Sequence, residues 1–226
     1  MKAAIMGYGT IGSGVYEVLD RNCKIVEKKA GEPIKVKYIL DLREFPGTPI
    51  EKLVIHDVKT IVDDPEIGIV VETMGGTTPA YEFVKSCLLA GKHVVTSNKA
   101  LVAAHGTELI RIAAEKNVSF LFEASVGGGI PIIRPLVECL GGEEIEEISG
   151  ILNGTTNYIL TKMNEEGWSF EEALKCAQEL GYAERNPEED VEGYDTCRKI
   201  AILTAVATGK EVDYEKVPTE GITKIT

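Results

Sequence analysis

The segment that most restricts what this chain can fold into is Gly7-Tyr8-Gly9-Thr10-Ile11-Gly12. It directly follows an apolar β-like run at residues 3–6 and opens a helical pattern carried by Val15, Val18 and Leu19. Glycines at this spacing between a strand and a helix do three jobs. The first permits a tight turn, the second lets backbone approach a pyrophosphate, and the third allows the helix to pack closely on the strand. The helix start adds unpaired N–H groups that attract an anion. The pattern predicts a dinucleotide site at Gly7, Gly9, Thr10, Ile11 and Gly12; taken alone, it could also be a glycine turn that binds nothing.

The rest of the first half supports the ligand-binding reading. Apolar runs at 36–40, 67–71, 94–96 and 119–122 alternate with helix-like segments such as 79–90, which closes on Gly91 as a cap, and 107–116. That rhythm predicts βαβ units and a Rossmann-type, doubly wound parallel sheet. After Gly127-Gly128-Gly129 the texture changes: a Pro-containing helix over 130–139, a β-like run over 145–151, then mostly helical sequence. We therefore expect a dinucleotide-binding domain over residues 1–130 and an α+β substrate or catalytic domain over 131–226. In the latter, Ser169 and Glu172 match a capping box, and Gly181 ends the helix they begin. A last helix from Tyr194 places Thr196, Ile200, Leu203 and Ala207 on one face before Gly209.

Composition narrows the function classes. The net charge of −12 over 226 residues repels phosphate backbones and anionic lipid, so nucleic acid and membrane surfaces are poor partners. With 44% hydrophobic and 27% charged residues the chain is of the ordinary folded type rather than disordered. No apolar run is long enough to span a bilayer, and the opening residues are too short for a signal peptide's apolar region, so the expected setting is cytoplasmic. Five scattered cysteines without Cys-x-x-Cys spacing read as reduced structural thiols, and the three histidines show no metal-ligand pattern.

The second strand should end at the residue that reads the adenosine ribose, and the run 36–40 ends at Asp41. Its distance from Gly12 exceeds the usual ~20 residues, which we attribute to an insertion over 22–33. A carboxylate here suits the two ribose hydroxyls of NAD and repels a 2′-phosphate. Arg43 could instead pair with that phosphate, which leaves NAD and NADP both open, with a lean to NAD.

Further stretches then bring a family into view: Glu72-Thr73-Met74-Gly75-Gly76, Gly91 through Thr96-Ser97-Asn98-Lys99-Ala100, Glu123 through Gly127-Gly128-Gly129-Ile130-Pro131-Ile132, Gly150 through Asn153-Gly154-Thr155-Thr156-Asn157-Tyr158, and Gly181-Tyr182-Ala183-Glu184 through Asp190 and Asp195 to Lys199. Together they resemble homoserine dehydrogenase over essentially the whole chain. The resemblance implies reversible NAD(P)H-dependent reduction of L-aspartate 4-semialdehyde to L-homoserine, in threonine and methionine biosynthesis. Such chemistry needs an acid for the developing alkoxide, a substrate anchor and a dry cofactor edge.

By the same resemblance Lys199 is the proton donor and Lys99 lies between nicotinamide and substrate. Glu184 and Asp195 hold the substrate ammonium and hydroxyl, with Asp190 in support, while Thr73 and Gly181 join the cofactor site. Lys199 can also be placed independently. At about 100° per residue from Thr196, it falls at roughly −60° and Asp195 at roughly −100°, side by side on the rim of the apolar stripe, with Arg198 pointing away. On spacing alone this could equally be an exposed Asp-to-Lys pair.

Three further expectations follow from the resemblance. Backbone carbonyls of Glu123, Val126, Gly128 and Ile130 would seat a monovalent cation such as sodium, where the residues alone also allow a plain hinge. The full-length family forms a homodimer. The chain ends at Thr226, where family members continue with the portion that completes the substrate domain's sheet, so a fragment or a shortened relative is expected. Two other readings remain at this point: a related oxidoreductase acting on another amino-acid-derived substrate, which would share the fingerprint and Lys99 but need no Glu184, and an inactive nucleotide-binding module.

Overall fold

The first strand, β1 (Lys2–Met6), runs through the middle of a six-stranded parallel sheet in the computed structural model of residues 1–226. On one side lie β2 (Lys35–Leu40) and β3 (Val54–Ile55). On the other lie β4 (Ile67–Glu72), β5 (His93–Thr96) and β6 (Phe120–Leu121), giving the order β3-β2-β1-β4-β5-β6. Ala3, Ala4, Ile5 and Met6 are fully buried, as a central strand covered on both faces requires. Ile5 packs with Ile39 and Ile50 beneath Tyr8, Val15 and Phe45; burying a side chain of this size stabilises by roughly 1.5–3 kcal/mol. The strand order reverses between β1 and β4, so the loops leaving their carboxyl ends diverge and open a crevice there.

The helices of this part are α1 (Thr10–Arg21), α2 (Cys23–Ala30), α3 (Lys59–Val62), α4 (Ala80–Leu89) and α5 (Lys99–Lys116). The stretch 22–33 that lengthens the path from Gly12 to Asp41 is largely α2, ended by left-handed Gly31. Gly91 caps α4 as expected: its N–H donates to Leu88 O and that of Lys92 to Cys87 O, the two bonds of a Schellman ending. By contrast, α5 begins eight residues before the predicted 107–116 helix. Asn98 starts it by accepting the Leu101 N–H at 3.1 Å, and the chain stays helical through a buried Gly106 that reads as a breaker in sequence.

The chain divides into two units, Met1–Pro131 and Ile132–Thr226. The second is helical: a π-helical turn (Pro135–Cys139), α6 (Gly154–Glu166), α7 (Phe170–Glu179), α8 (Glu188–Val191) and α9 (Tyr194–Thr208). Two expectations are corrected here. The helix expected over 130–139 does not start at 130, because Pro131 disfavours helical backbone at Ile130, whose side chain is exposed. The run 145–151 forms no strand. Its isoleucines, Ile145, Ile148 and Ile151, recur every third residue rather than every second, and no strand of this unit offers it a partner.

The capping box is present. Ser169 Oγ accepts the Glu172 N–H while Glu172 Oε2 accepts the Ser169 N–H. It starts the helix that buries Ala173 and Ala177 against Ile159, Ala183 and Val191. On α9 the buried residues are Asp195, Cys197, Ala201, Ile202 and Leu203. Of the predicted stripe, Leu203 is buried while Thr196, Ile200 and Ala207 are only half-buried.

Candidate active site

In the first unit the glycine loop sits at the crevice. Gly7 has φ +91°, a left-handed conformation suited to glycine, and its N–H donates to Leu40 O. A Cβ on Gly12 would stand 2.0 Å from Gly7 O, so only hydrogen fits there, whereas a Cβ on Gly9 would meet nothing within 4 Å. Gly9 caps α1 without a side chain, and no acid stands in the first turn, so the N–H groups at Thr10 and Ile11 stand at the positive end of the helix without a neighbouring carboxylate of that turn. These features fit a pyrophosphate.

Asp41 stands at the end of β2 with its carboxylate against the same loop. Oδ2 accepts the Tyr8 N–H at 2.7 Å, and Arg43 forks onto both oxygens at 2.9 Å while donating to Tyr8 O. The Arg43 guanidinium, first among the causes, holds the Asp41 carboxyl well below the usual carboxylate range. Asp41 thus carries a matched cation rather than a bare charge. Thr73, after β4, donates its hydroxyl to Gly7 O at 2.9 Å, so it supports the loop from below. Lys99 is the first residue of α5 and is half-buried.

Sequence reasoning missed Glu72. Fully buried at the end of β4, it accepts from Thr96 Oγ1 at 2.6 Å, the Met74 N–H at 2.8 Å and Asn98 Nδ2 at 3.4 Å. One carboxylate thereby ties the ends of two strands to the cap of α5, and so sets where Thr73 and Lys99 begin. A single acid after an apolar run gives no sign of this in sequence.

The second unit brings together Lys199, Asp195 and Asp190. Lys199 Nζ lies 2.8 Å from Asp195 Oδ2 and donates to Leu152 O at 2.8 Å. Asn153 Nδ2 donates to Asp190 Oδ1 at 2.7 Å and to Asp195 Oδ2 at 3.0 Å. Asp195 is not on a rim, as its helical angle suggested, but 2% exposed, because α8 packs on α9 and Asn153, just before α6, bonds to its carboxylate. Burial pulls the Lys199 ammonium below its ordinary 10.5, and the charge of Asp190 opposes that shift. Arg198 turns away to pair with Glu189.

The other predicted residues stand apart from this cluster. Glu184 exposes its carboxylate, with its backbone carbonyl accepting from Gln178 Nε2. Gly181 takes φ +79° at the end of α7, where its N–H donates to Gln178 O, so a helix ending accounts for that glycine. Glu123 O already accepts the N–H groups of Val126 and Gly127. Among the cysteines, Cys87 and Cys197 are buried, and burial pushes the Cys87 thiol up to about 12; Cys23 and Cys139 are exposed, so packing does not explain them.

A glycine loop at the switch point of a β3-β2-β1-β4-β5-β6 parallel sheet makes this a dinucleotide-binding protein of the Rossmann class. Residues 7–123 match the family model described as the NAD-binding domain of homoserine dehydrogenase, and residues 131–226 match that of homoserine dehydrogenase itself. The chain belongs to the homoserine dehydrogenase family. All of it aligns with homoserine dehydrogenases of Pseudomonas aeruginosa at 44% identity and of Synechocystis at 46%, covering 52% of each. It therefore spans about half the length of the curated relatives it matches. The crystal structure of a homoserine dehydrogenase from Thiobacillus denitrificans superposes with a TM-score of 0.89 at 43% identity, over all of this chain and 53% of that one. A hyperthermophilic archaeal homoserine dehydrogenase solved with NADPH superposes at 0.84 and 29% identity, over all of this chain and 74% of its own.

Proposed function

We propose that this chain carries the cofactor-binding and proton-transfer parts of a homoserine dehydrogenase that interconverts L-aspartate 4-semialdehyde and L-homoserine. The observation that carries the reading is Lys199, side chain 14% exposed, held between Asp195 and Leu152 O beside a second carboxylate. NAD or NADP, when bound, supplies or accepts the hydride. The chain's own residues do the rest. The loop at Gly7 and Gly9 and the first-turn N–H groups of α1 take the pyrophosphate. Asp41 and Arg43 face the adenosine ribose, with Arg43 free to swing from Asp41 to a 2′-phosphate. Lys99 and Thr73 border the nicotinamide.

Lys199 holds a proton at Nζ and passes it to the oxygen that becomes the homoserine hydroxyl; burial makes that proton easier to give than that of a solvated lysine. Asp195, Asp190 and Glu184 are assigned to the substrate's ammonium and hydroxyl. For Glu184 this requires the exposed carboxylate to turn toward substrate. Gly181 is assigned to the cofactor by resemblance alone. The four carbonyls from Glu123 to Ile130 suit a cation poorly as found, because Glu123 O already accepts from two N–H groups. A homodimer in a cytoplasmic setting belongs to the same proposal, and light scattering tests the dimer. No helix is long and apolar enough to cross a membrane.

The decisive experiment follows dihydronicotinamide absorbance with aspartate semialdehyde, and the reverse with L-homoserine, alongside cofactor titration. Turnover with these substrates and not with other amino-acid aldehydes is expected. Tight cofactor binding without affinity for L-homoserine would sink the substrate assignment.

A further inference from the structure

Asn153 does more than a helix start requires. Its Oδ1 accepts the Thr156 N–H at 2.8 Å and so caps α6, a task that Ser, Thr or Asp performs comparably well. What those residues lack is a pair of N–H donors, and both donors are used here on acids from two other helices: Asp190 at 2.7 Å and Asp195 at 3.0 Å. The side chain is buried, 5% exposed, and so is Asp195 at 2%, while Asp190 is half-buried, so water screens the repulsion between the carboxylates only in part. Lys199 compensates one charge of the two, and the neighbouring Leu152 carbonyl holds that lysine. A cluster of two acids and one ammonium retains a net negative charge, which suits a ligand bringing its own ammonium.

We propose that Asn153 is a positioning residue whose amide clamps Asp190 and Asp195 into one acceptor for the substrate ammonium. This rests on the substrate reading above; the clamp itself does not. The cap requirement leaves the choice of Asn at this position unexplained, and the two carboxylates account for it.

The test uses Asn153→Ser and Asn153→Asp, which both keep an oxygen for the cap. A residue that merely starts α6 tolerates both. A clamp predicts that Asn153→Ser, which removes both amide donors, raises the KM for L-homoserine about tenfold or more, with kcat within about threefold. NADPH affinity should stay near that of the parent, while the thermal midpoint falls because two carboxylates lose their donor. Asn153→Asp adds a third carboxylate and should weaken homoserine binding further. A double-mutant cycle in urea joins Asn153→Ser to Asp190→Ala: losses that fall short of adding support the clamp, and additive losses overturn it. Unchanged KM in folded Asn153→Ser and Asn153→Asp likewise overturns it. If the parent binds NADPH but not L-homoserine, the substrate reading falls and the cycle alone decides the clamp. Should Asn153→Ser fail to fold, Asn153→Asp replaces it in the cycle, where Asp190→Ala must recover part of the lost stability for the clamp to stand.

Discussion

Gly9 and Gly12 stand three residues apart and are glycine for different reasons. A methyl on Gly12 would meet Gly7 O at 2.0 Å and Thr73 Oγ1 at 2.9 Å, so Gly12→Ala should cost about 1–3 kcal/mol of stability, as overpacking does. A side chain on Gly9 meets only open space in the protein. Gly9→Val should therefore leave the urea midpoint alone and weaken NADPH at least about tenfold by standing where the pyrophosphate must come; unchanged affinity would remove the loop from the site. Arg43 yields a second expectation, because the proposed function has its fork on Asp41 give way to a 2′-phosphate. Arg43→Ala should lower NADP affinity relative to NAD, whereas Asp41→Ala, which also strips the Tyr8 N–H of its acceptor, should weaken both while shifting the ratio toward NADP. Lys199 bears on the chemistry. Under the proposed role of general acid, Lys199→Ala should cut turnover roughly 10²- to 10⁴-fold without changing NADPH affinity. Its depressed pKa sets the sign: semialdehyde reduction needs the ammonium and declines as pH rises through a value below 10.5, while homoserine oxidation, which needs the free amine, gains over the same interval. Profiles lacking these opposed limbs in an active enzyme would point to Lys99 instead.

At the scale of elements, a feature was readable wherever a local rule decides it. The capping box needs only residues 169–172, and it is there; Ser169→Ala should cost about 0.5–2 kcal/mol in a urea melt, because α7 then loses the acceptor for the Glu172 N–H. Strands β1, β2, β4, β5 and β6 were legible because each lies on a short apolar run separated from the next by helix-like sequence. Two residues of β3 carry no pattern of their own and are strand only through pairing with Ile39 and Leu40. The first turns of α5 were hidden behind Gly106, whose helical conformation is enforced by packing. The run 145–151 failed because its isoleucines recur at threes rather than twos and no strand of its unit pairs with it. The site divides in the same way. The glycine loop and the Asp195 to Lys199 spacing are local and were visible, whereas Glu72 joins residues 24 and 26 apart and Asn153 joins residues 37 and 42 apart, separations that no local rule spans.

For the whole molecule, the sheet, its helices and every residue of the glycine loop lie within Met1–Pro131, and the hydrogen bonds of Asp41, Thr73 and Glu72 are made there too. The division separates these residues from the Asn153, Asp190, Asp195 and Lys199 network, which lies in Ile132–Thr226. A segment with its own six-stranded sheet and buried core has what independent folding requires. Residues 1–131 expressed alone should therefore unfold cooperatively and bind NADPH within about threefold of the whole chain, since a threefold change is under 1 kcal/mol. The comparison also judges Gly181, assigned to the cofactor by resemblance although its φ of +79° is accounted for by the end of α7. If the isolated segment retains the affinity, Gly181 contributes little to cofactor binding. A folded segment that binds NADPH more than about tenfold more weakly, with Gly181→Ala in the whole chain reproducing much of that loss, would place part of the cofactor site in the second unit and end the assignment of the site to the first unit alone.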